Sequence, residues 1–221
     1  MEQFRVAGGS GACPGAPQRV GVLRHRRGAL RIGWLLPTAV AGALSFACQA
    51  ADFPPVRIVD ETILYPIQGD SVRRIRDQLR NHGPWAAGVG QGRTRSEFEV
   101  RTEFEPRADG CHLVGLKLVL RITTTLPEWQ PGRRATSALR AEWQVAHERP
   151  LRHEAGHRQH AVDAAHELHG WLLRIPAQEN CLRAQWTVDD HLRKAISRLR
   201  QRGMIYDDRT ANGLAEPLPT P

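Results

Sequence analysis

Two histidines and a glutamate near the middle of the chain have the spacing of a metal site. His153, Glu154 and His157 belong to the segment H-E-A-G-H, in a stretch whose apolar residues recur at helical spacing. Side chains four residues apart lie about 40° apart around a helix axis, so both imidazoles can bind one ion. Glu154 points away from the ion but can reach a water molecule there, where a general base is needed. The segment therefore predicts a metal site that activates water, the chemistry of zinc peptidases.

Local composition offers a competing explanation. Histidines crowd into this part of the chain, at His147, His153, His157, His160, His166 and His169. A solvated, histidine-rich helix face can contain the same spacing by accident. The residues around the motif must therefore decide between the two. Gly156, inside the motif, would keep one side of a metal site small.

A catalytic zinc needs a third protein ligand and leaves its fourth position to water. His160 lies on the same helix face, but three ligands on one straight helix strain a tetrahedron. Asp163 has the spacing of a third ligand in some peptidases, although His160 then replaces the glycine that ends their ligand helix. A ligand from the C-terminal segment is geometrically easier, and Asp207 lies just beyond the predicted last helix. The residues alone leave these candidates open.

The N-terminal region has the order of a secretory signal peptide. Basic residues within 24–31 precede an apolar run over 32–47, and small residues follow. The run is interrupted by glycine and proline and is shorter than the roughly 20 apolar residues of a spanning helix. We expect residues 1–50 to be a leader cleaved near Ala50, and the mature protein to be periplasmic or secreted without stable membrane insertion. A retained anchor, or a lipoprotein beginning at Cys48, is the alternative.

The charge of the chain lies mostly in this leader. The full sequence has 31 Lys and Arg against 23 Asp and Glu, a net charge of +8. The leader contains six arginines and one acid, so 25 basic and 22 acidic residues remain, a net charge of +3. No basic run interleaved with aromatic residues is left in the mature chain. A nucleic-acid binder is therefore disfavoured.

Two cysteines remain after the leader. Cys111 and Cys181 form an even pair, which in an oxidising compartment predicts a disulfide bond. Two free buried thiols are the alternative. A zinc site made by these cysteines is disfavoured because neither has a CxxC partner.

About 170 mature residues are enough for one domain with its own core. Period-two and helical patterns change over along the chain, so the order of elements is mixed. The first half of the domain predicts a strand over 56–65, and then a short helix that is capped by Asp70 and ends at 81–84. A glycine-rich loop over 88–95 follows. The next two strands, over 97–105 and 116–123, are predicted to form an antiparallel hairpin with its turn over 107–110.

The second half of the domain is predicted to be helical. Residues 126–132 end the sheet, and a helix then runs from about Thr136 to Pro176, with a break or kink at Pro150. A last helix begins near Thr187, where T-V-D-D resembles a capping box, and continues to Gly203. We expect an α+β fold, in which an antiparallel hairpin or small sheet packs with a zincin-like HExxH helix and a C-terminal helix. The single domain spans 51–213, and a disordered tail spans 214–221.

Several short segments between 64 and 213 occur together in a recognisable pattern. They are Y-P-I-Q-G at 65–69, N-H-G-P at 81–84, G-C-H-L at 110–113, T-L-P-E-W at 125–129, H-E-A-G-H at 153–157, Cys181, and Y-D-D-R-T-A-N-G at 206–213. In these segments the chain resembles a family of exported bacterial proteins of unknown function that are predicted to be zinc-dependent proteases. The resemblance implies a metal-bound hydrolase of the cell envelope.

The closing segment bears on the third ligand. It resembles the family pattern Tyr-Asp-x-x-Thr-x-His-Gly, but Asn212 stands in the place of the histidine. If that histidine is a ligand in relatives, metal binding is weakened here, or Asp207 takes the role. The resemblance favours Asp207 as the third ligand and Tyr206 as a hydrogen-bond donor to the oxyanion. The alternative for Asp207 is a residue of the helix C-terminal turn.

The leading hypothesis is an exported zinc metallopeptidase acting on peptide or protein substrates. His153, His157 and Asp207 would bind Zn²⁺, and Glu154 would take a proton from the attacking water. The alternative is a catalytically inactive envelope protein that keeps a structural or vestigial metal site.

Overall fold

A computed structural model describes residues 53–82 and 91–215. The predicted leader lies outside these ranges, as do residues 83–90, with part of the predicted glycine-rich loop, and residues 216–221 of the predicted tail. The elements are β1 (Arg57–Gly69), α1 (Val72–His82), β2 (Arg93–Arg107), β3 (Gly110–Pro131), α2 (Ser137–Leu172) and α3 (Cys181–Thr210).

The strands form a mixed sheet in the order β1-β3-β2, which with the three helices makes an α+β fold. β2 and β3 are the predicted antiparallel hairpin, with Arg107 paired to Gly110 at the turn. β1 pairs in parallel with β3, so that Arg57 lies opposite Val119. The alternating pattern of each strand does not specify this partner. β3 is therefore the central strand, and β1 and β2 are the edges.

Both hairpin strands are longer than the sequence predicts. β2 already begins at Arg93, inside the predicted loop, and β3 continues to Pro131 instead of ending near Leu126. The pairing of β2 with β3 reaches only as far as Thr125. Beyond that point, within the described residues, β3 pairs only with β1, where a proline without an N–H, such as Pro127, can be accommodated.

The main core lies between one face of the sheet and the helices α2 and α3. The predicted apolar stripe of α2 is buried there, and its small residues allow the helix to approach its neighbours closely. The buried members are Phe98, Leu116, Leu118, Leu120 and Ile122 from the sheet, Ala161, Ala164, Ala165, Leu168 and Leu172 from α2, and Val188, Leu192 and Ala195 from α3. This packing fixes the second half of α2, and the H-E-A-G-H segment lies at the middle of the helix, beside the start of β2.

α2 begins as predicted, but it has no break. Thr136 caps the helix, because its hydroxyl accepts a hydrogen bond from the backbone N–H of Leu139 at 3.1 Å. The helix continues through Pro150, which is buried within it. A proline removes one hydrogen bond of the helical ladder, and the turns on either side keep theirs. His153 and His157 thus lie on the same uninterrupted helix as the core stripe.

The predicted limits of the last helix are wrong at both ends. α3 begins at Cys181, capped by Asn180, whose side chain accepts from the N–H of Arg183 at 2.9 Å. Thr187 lies inside the helix, and its hydroxyl donates to the carbonyl of Arg183 at 2.9 Å instead of capping. The helix also continues past Gly203, a residue that costs about 1 kcal/mol in a helix interior and is outweighed by tertiary packing. Tyr206 and Asp207 are therefore on α3, not beyond it.

The predicted disulfide bond is present. Cys111, at the start of β3, is bonded to Cys181, at the start of α3, and their Cα atoms are 5.1 Å apart. Beside it, Cys111 and Gln178 exchange backbone hydrogen bonds of 2.7 and 3.0 Å. The hairpin turn and the first turn of α3 are thus joined covalently and through the backbone.

The sequence predicts α1 but not its cap. The hydroxyl of Ser71 accepts from the backbone N–H of Arg74 at 3.4 Å and so caps the helix. Asp70, the predicted cap, instead accepts a hydrogen bond from the guanidinium of Arg74 at 3.2 Å.

A smaller core lies under α1. Ile67 of β1, Ile75 of α1 and Leu139 of α2 are its buried members. It fixes α1 against the sheet and the start of α2. Within the described ranges, no helix combines the length and apolar character that crossing a bilayer requires.

Candidate metal centre

α2 and α3 bring His153, His157 and Asp207 together. The Nε2 atoms of the two histidines are 3.2 Å apart, and Asp207 Oδ1 lies 3.1 Å from His153 Nε2 and 2.9 Å from His157 Nε2. A tetrahedral zinc ion with bonds of about 2.0–2.1 Å separates neighbouring ligand atoms by about 3.3 Å. The three atoms therefore form a possible metal-binding triad, made of the residues that the sequence and the family resemblance indicate.

The other candidate ligands lie elsewhere. Asp163 accepts a hydrogen bond from Gln159 at 2.8 Å on α2. His160 lies edge-on to the ring of Tyr206, with centroids 5.1 Å apart, and is not in the triad. Asn212 is exposed and left-handed, with φ of 53°, and its backbone N–H donates to the carbonyl of Asp207 at 2.8 Å. Among the residues that the structure describes, Asp207 is thus the side chain that completes a triad.

The ring of His153 is fixed from three directions. Its Nδ1 lies 3.1 Å from the hydroxyl of Thr210. Tyr206 stacks on it, with ring centroids 5.0 Å apart and planes 9° from parallel. On another side a Cβ at Gly213 would come within 3.0 Å of His153 Cβ and Cγ, and Gly213 has φ of +86°. A glycine at this position therefore satisfies both the backbone conformation and the close approach.

Tyr206 packs over the backbone of the motif. A Cβ at Gly156 would lie 2.3 Å from the Tyr206 hydroxyl oxygen, so a larger residue there would displace the ring. The ring also meets His157 edge-on, with centroids 5.1 Å apart. The small size of Gly156 is thus needed to make room for the ring of Tyr206. The hydroxyl of Tyr206 lies beside Gly156.

Glu154 is buried beside the triad and is held by β2. Thr94 donates a hydrogen bond to its Oε2 at 2.7 Å. A Cβ at Gly92 would come within 2.7 Å of Glu154 Cγ and 2.8 Å of Oε1, so the chain passes directly over the carboxylate. Gly92 and Thr94 both fall in the glycine-rich loop predicted over 88–95, and neither belongs to a motif that would indicate a contact with Glu154.

Burial and charge both act on the acid and base properties of this site. Burial, together with the negative charge of Asp207, raises the pKa of Glu154 to about 7, although the hydrogen bonds from Thr94 act in the opposite direction. Burial lowers the pKa of His157, against the attraction of Asp207. A neutral imidazole is the form that binds a metal, and a carboxylate with a near-neutral pKa is suited to proton transfer. A bound cation would lower the pKa of Glu154.

The chain matches a bacterial family over residues 62–213, described as "Bacterial protein of unknown function (DUF922)". Because this match covers more than half of the chain, the protein belongs to that family, and the resemblance to a bacterial family of unknown function is confirmed. No curated protein and no solved structure matches the chain. The family description names no activity, so function has to be inferred from the chemistry of the site.

Proposed function

We propose that the protein is an exported zinc-dependent peptidase. His153, His157 and Asp207 bind the ion, and Glu154 is the general base. The observation that carries this proposal is the convergence of three ligand atoms, 2.9 to 3.2 Å apart, beside a buried carboxylate. The helix that carries H-E-A-G-H would then be zincin-like in its chemistry.

The donor set favours zinc over the other common divalent cations. Two imidazoles and one carboxylate are the protein ligands of many catalytic zinc sites, which keep a fourth position for water. Calcium and magnesium prefer sets made entirely of oxygen. When bound, zinc lowers the pKa of a water molecule and polarises a carbonyl oxygen.

The side chains around the ion would share the proton transfers of peptide hydrolysis. Thr94 donates hydrogen bonds to the Glu154 carboxylate from its hydroxyl, which reaches Oε2, and from its backbone N–H, and the carboxylate so held can take the proton of the attacking water. The same carboxyl group can then give this proton to the leaving amine. Tyr206 is our candidate donor to the oxygen that becomes negatively charged.

The edge of the sheet suggests how a peptide would bind. β2 is an edge strand, and Thr94 within it and Gly92 just before it lie against Glu154. An extended peptide could pair with this edge as a further strand, bound mainly through its backbone. Such binding would impose little sequence preference.

Export is part of the proposal. The Cys111–Cys181 disulfide fits an oxidising compartment, in agreement with the signal-peptide pattern of the leader. Peptides and proteins of the envelope or the medium would then be the substrates. The modest charge of the mature chain gives no reason to expect nucleic acid as a partner.

The second candidate is an inactive envelope protein that keeps the metal site. It is favoured by Asn212, which replaces the histidine of the family pattern. In this case the triad would stabilise the contact between α2 and α3 without catalysis. Metal binding alone does not separate the two candidates, so hydrolysis has to be measured as well.

The metal is tested first, by mass spectrometry on the protein purified from the periplasm or the medium. We expect about one zinc per chain, lost in His157→Ala and in Asp207→Ala. His166→Ala is the matched control, because His166 is an exposed histidine of α2 outside the triad. A parent protein without zinc after reconstitution, or a control that loses zinc as the ligand variants do, would overturn the site.

Hydrolysis is tested with a broad peptide library. Glu154→Gln should lower the rate by about 10²–10⁴-fold while zinc stays bound, because the amide cannot act as a base. Glu148→Gln, on the same helix but paired with Arg152, should leave the rate unchanged. Equal turnover by Glu154→Gln and the parent would contradict the mechanism. A zinc-loaded parent that cleaves nothing would favour the inactive alternative.

A further inference from the structure

Thr210, at the end of α3, contacts the first histidine of the motif from behind. We propose that Thr210 is a positioning residue for metal binding: its hydroxyl accepts a hydrogen bond from His153 Nδ1–H and so presents the Nε2 lone pair to the ion. This inference rests on the proposed metal site. It concerns a residue that neither the H-E-A-G-H spacing nor the triad includes.

The Thr210 hydroxyl is buried among four polar neighbours. Its oxygen lies 2.8 Å from the carbonyl oxygen of Tyr206, 3.1 Å from His153 Nδ1 and 3.4 Å from the backbone nitrogen of Gly213. The carbonyl oxygen of Asp207, a second acceptor, is 3.5 Å away. The residue is 8% exposed, so water has little access to replace these partners. Each of the contacts must therefore be compatible with a single arrangement of hydrogens.

A threonine hydroxyl has one hydrogen to donate. The shortest contact, to the Tyr206 carbonyl, can use only that hydrogen, and it has the usual geometry of a threonine bonded to the carbonyl four residues earlier. The oxygen of Thr210 then accepts from the N–H of Gly213. Its contact with His153 is a hydrogen bond only if Nδ1 carries the proton.

This proton position decides what the other ring nitrogen can do. A neutral imidazole has one N–H, so Nδ1–H leaves a lone pair on Nε2, the atom that faces His157 and Asp207. The opposite tautomer would direct an N–H at Asp207 and make a hydrogen-bonded cluster instead of a ligand set. Metal-binding histidines commonly donate their other N–H to a fixed acceptor, and Thr210 supplies that acceptor here.

Thr210 also links two ligands. It lies three residues after Asp207 on the last turn of α3, while its hydroxyl contacts His153 on α2. The turn that delivers the carboxylate therefore also orients the imidazole that shares the ion with it. A loss of the hydroxyl should weaken the metal site more than it weakens the fold.

The test compares Thr210→Val with Thr210→Ser. Valine keeps the shape but removes the hydroxyl, and we expect it to lower zinc affinity about 10–100-fold, the range for lost partners of metal-binding histidines. Serine keeps the hydroxyl and should retain the affinity of the parent. Competition with a chelator measures both. Equal affinity of the valine variant and the parent would overturn the role of Thr210 and leave the metal site intact, whereas a parent without zinc would overturn the proposed function itself.

A second readout does not depend on the stability of a variant. In the zinc-loaded parent, ¹H–¹⁵N spectra of the histidine rings should show a slowly exchanging Nδ1–H for His153. The signal should persist in Thr210→Ser and exchange faster in Thr210→Val, because valine offers no acceptor. An unprotonated His153 Nδ1 in the zinc-loaded parent would refute the inference even if the valine variant fails to fold.

Discussion

The two ends of α3 are held to the rest of the protein by different chemistry. At its start, Cys181 is bonded to Cys111, and backbone hydrogen bonds reinforce the link. At its end, Asp207 and Thr210 make polar contacts with His153, and the ring of Tyr206 stacks on the His153 ring. The first attachment is covalent and independent of any ion. The second consists of groups whose arrangement matters for binding one.

This difference separates stability from function along one helix. A disulfide closing a long loop contributes about 4 kcal/mol in the chain-entropy account, whereas a single hydrogen bond contributes about 1 kcal/mol net. Changes at the start of α3 should therefore alter the free energy of unfolding and spare metal binding. Changes at its end, and in the residues that pack on it, should weaken metal binding, and the following variants test that division.

The largest loss of stability is expected when the disulfide is removed. Cys111→Ala with Cys181→Ala should lower the free energy of unfolding by about 4 kcal/mol, because the bonded cysteines are separated by 70 residues. Urea unfolding of the zinc-free protein measures this loss. Zinc affinity of the folded double variant should equal that of the parent. A parallel fall in zinc affinity would show that the two ends of α3 are coupled.

A methyl group in the motif should disturb the packing at the C-terminal end of α3. Gly156→Ala places a Cβ 2.3 Å from the Tyr206 hydroxyl oxygen, so the ring that stacks on His153 must move. We expect a loss of about 1–3 kcal/mol from overpacking, together with weaker zinc binding. Thermal unfolding and chelator competition measure the two effects.

Gly170→Ala is the matched control for this change on the same helix. A Cβ at Gly170 would meet only the guanidinium of Arg174, at 3.7 Å. Alanine should therefore stabilise the helix by up to about 1 kcal/mol through its better propensity, without any change in zinc affinity. If both alanine variants bind zinc equally well, the packing of Tyr206 on the motif has no part in the site.

The smallest effect concerns where α3 begins. Asn180→Ala should cost about 1 kcal/mol because it removes the N-cap, whereas Thr187→Ala, at the start predicted from the sequence, should cost less because Thr187 lies inside the helix. Urea unfolding distinguishes them. A larger loss for Thr187→Ala than for Asn180→Ala would restore the capping box as the true helix start.

Local patterns predicted much of the fold. The hairpin, the stripe of α2 and the pairing of Cys111 with Cys181 follow from alternation, helical spacing and cysteine count, and the structure contains all of them. The two histidines of the triad lie about one helical turn apart on α2, so their spacing in the sequence is enough to predict that they lie side by side. These features depend on residues that are close in the sequence or, for the disulfide, on the small number of cysteines.

What the sequence could not predict depends on distant partners. Asp207 was one of several candidate ligands until the family resemblance favoured it, because only the packing of α3 on α2 brings it to the histidines. Thr94 and Thr210 are ordinary residues of a strand and a helix end until Glu154 and His153 lie against them. The parallel partner of β1 was equally unspecified, since its own alternation fits either neighbour.

The position of β3 at the centre of the sheet has a consequence for how the chain folds. β2 and β3 adjoin through a tight turn and can pair early, but β1 precedes both and must wait for β3, since Arg57 pairs with Val119. Long-range pairing of this kind is slow, because loop-closure entropy is lost before contacts form. Until then Ile63 and Leu64 belong to an unpaired strand, the kind of segment at which newly made chains aggregate. Of the strands that the structure describes, β1 is thus the first to be synthesised and the last to find its partner.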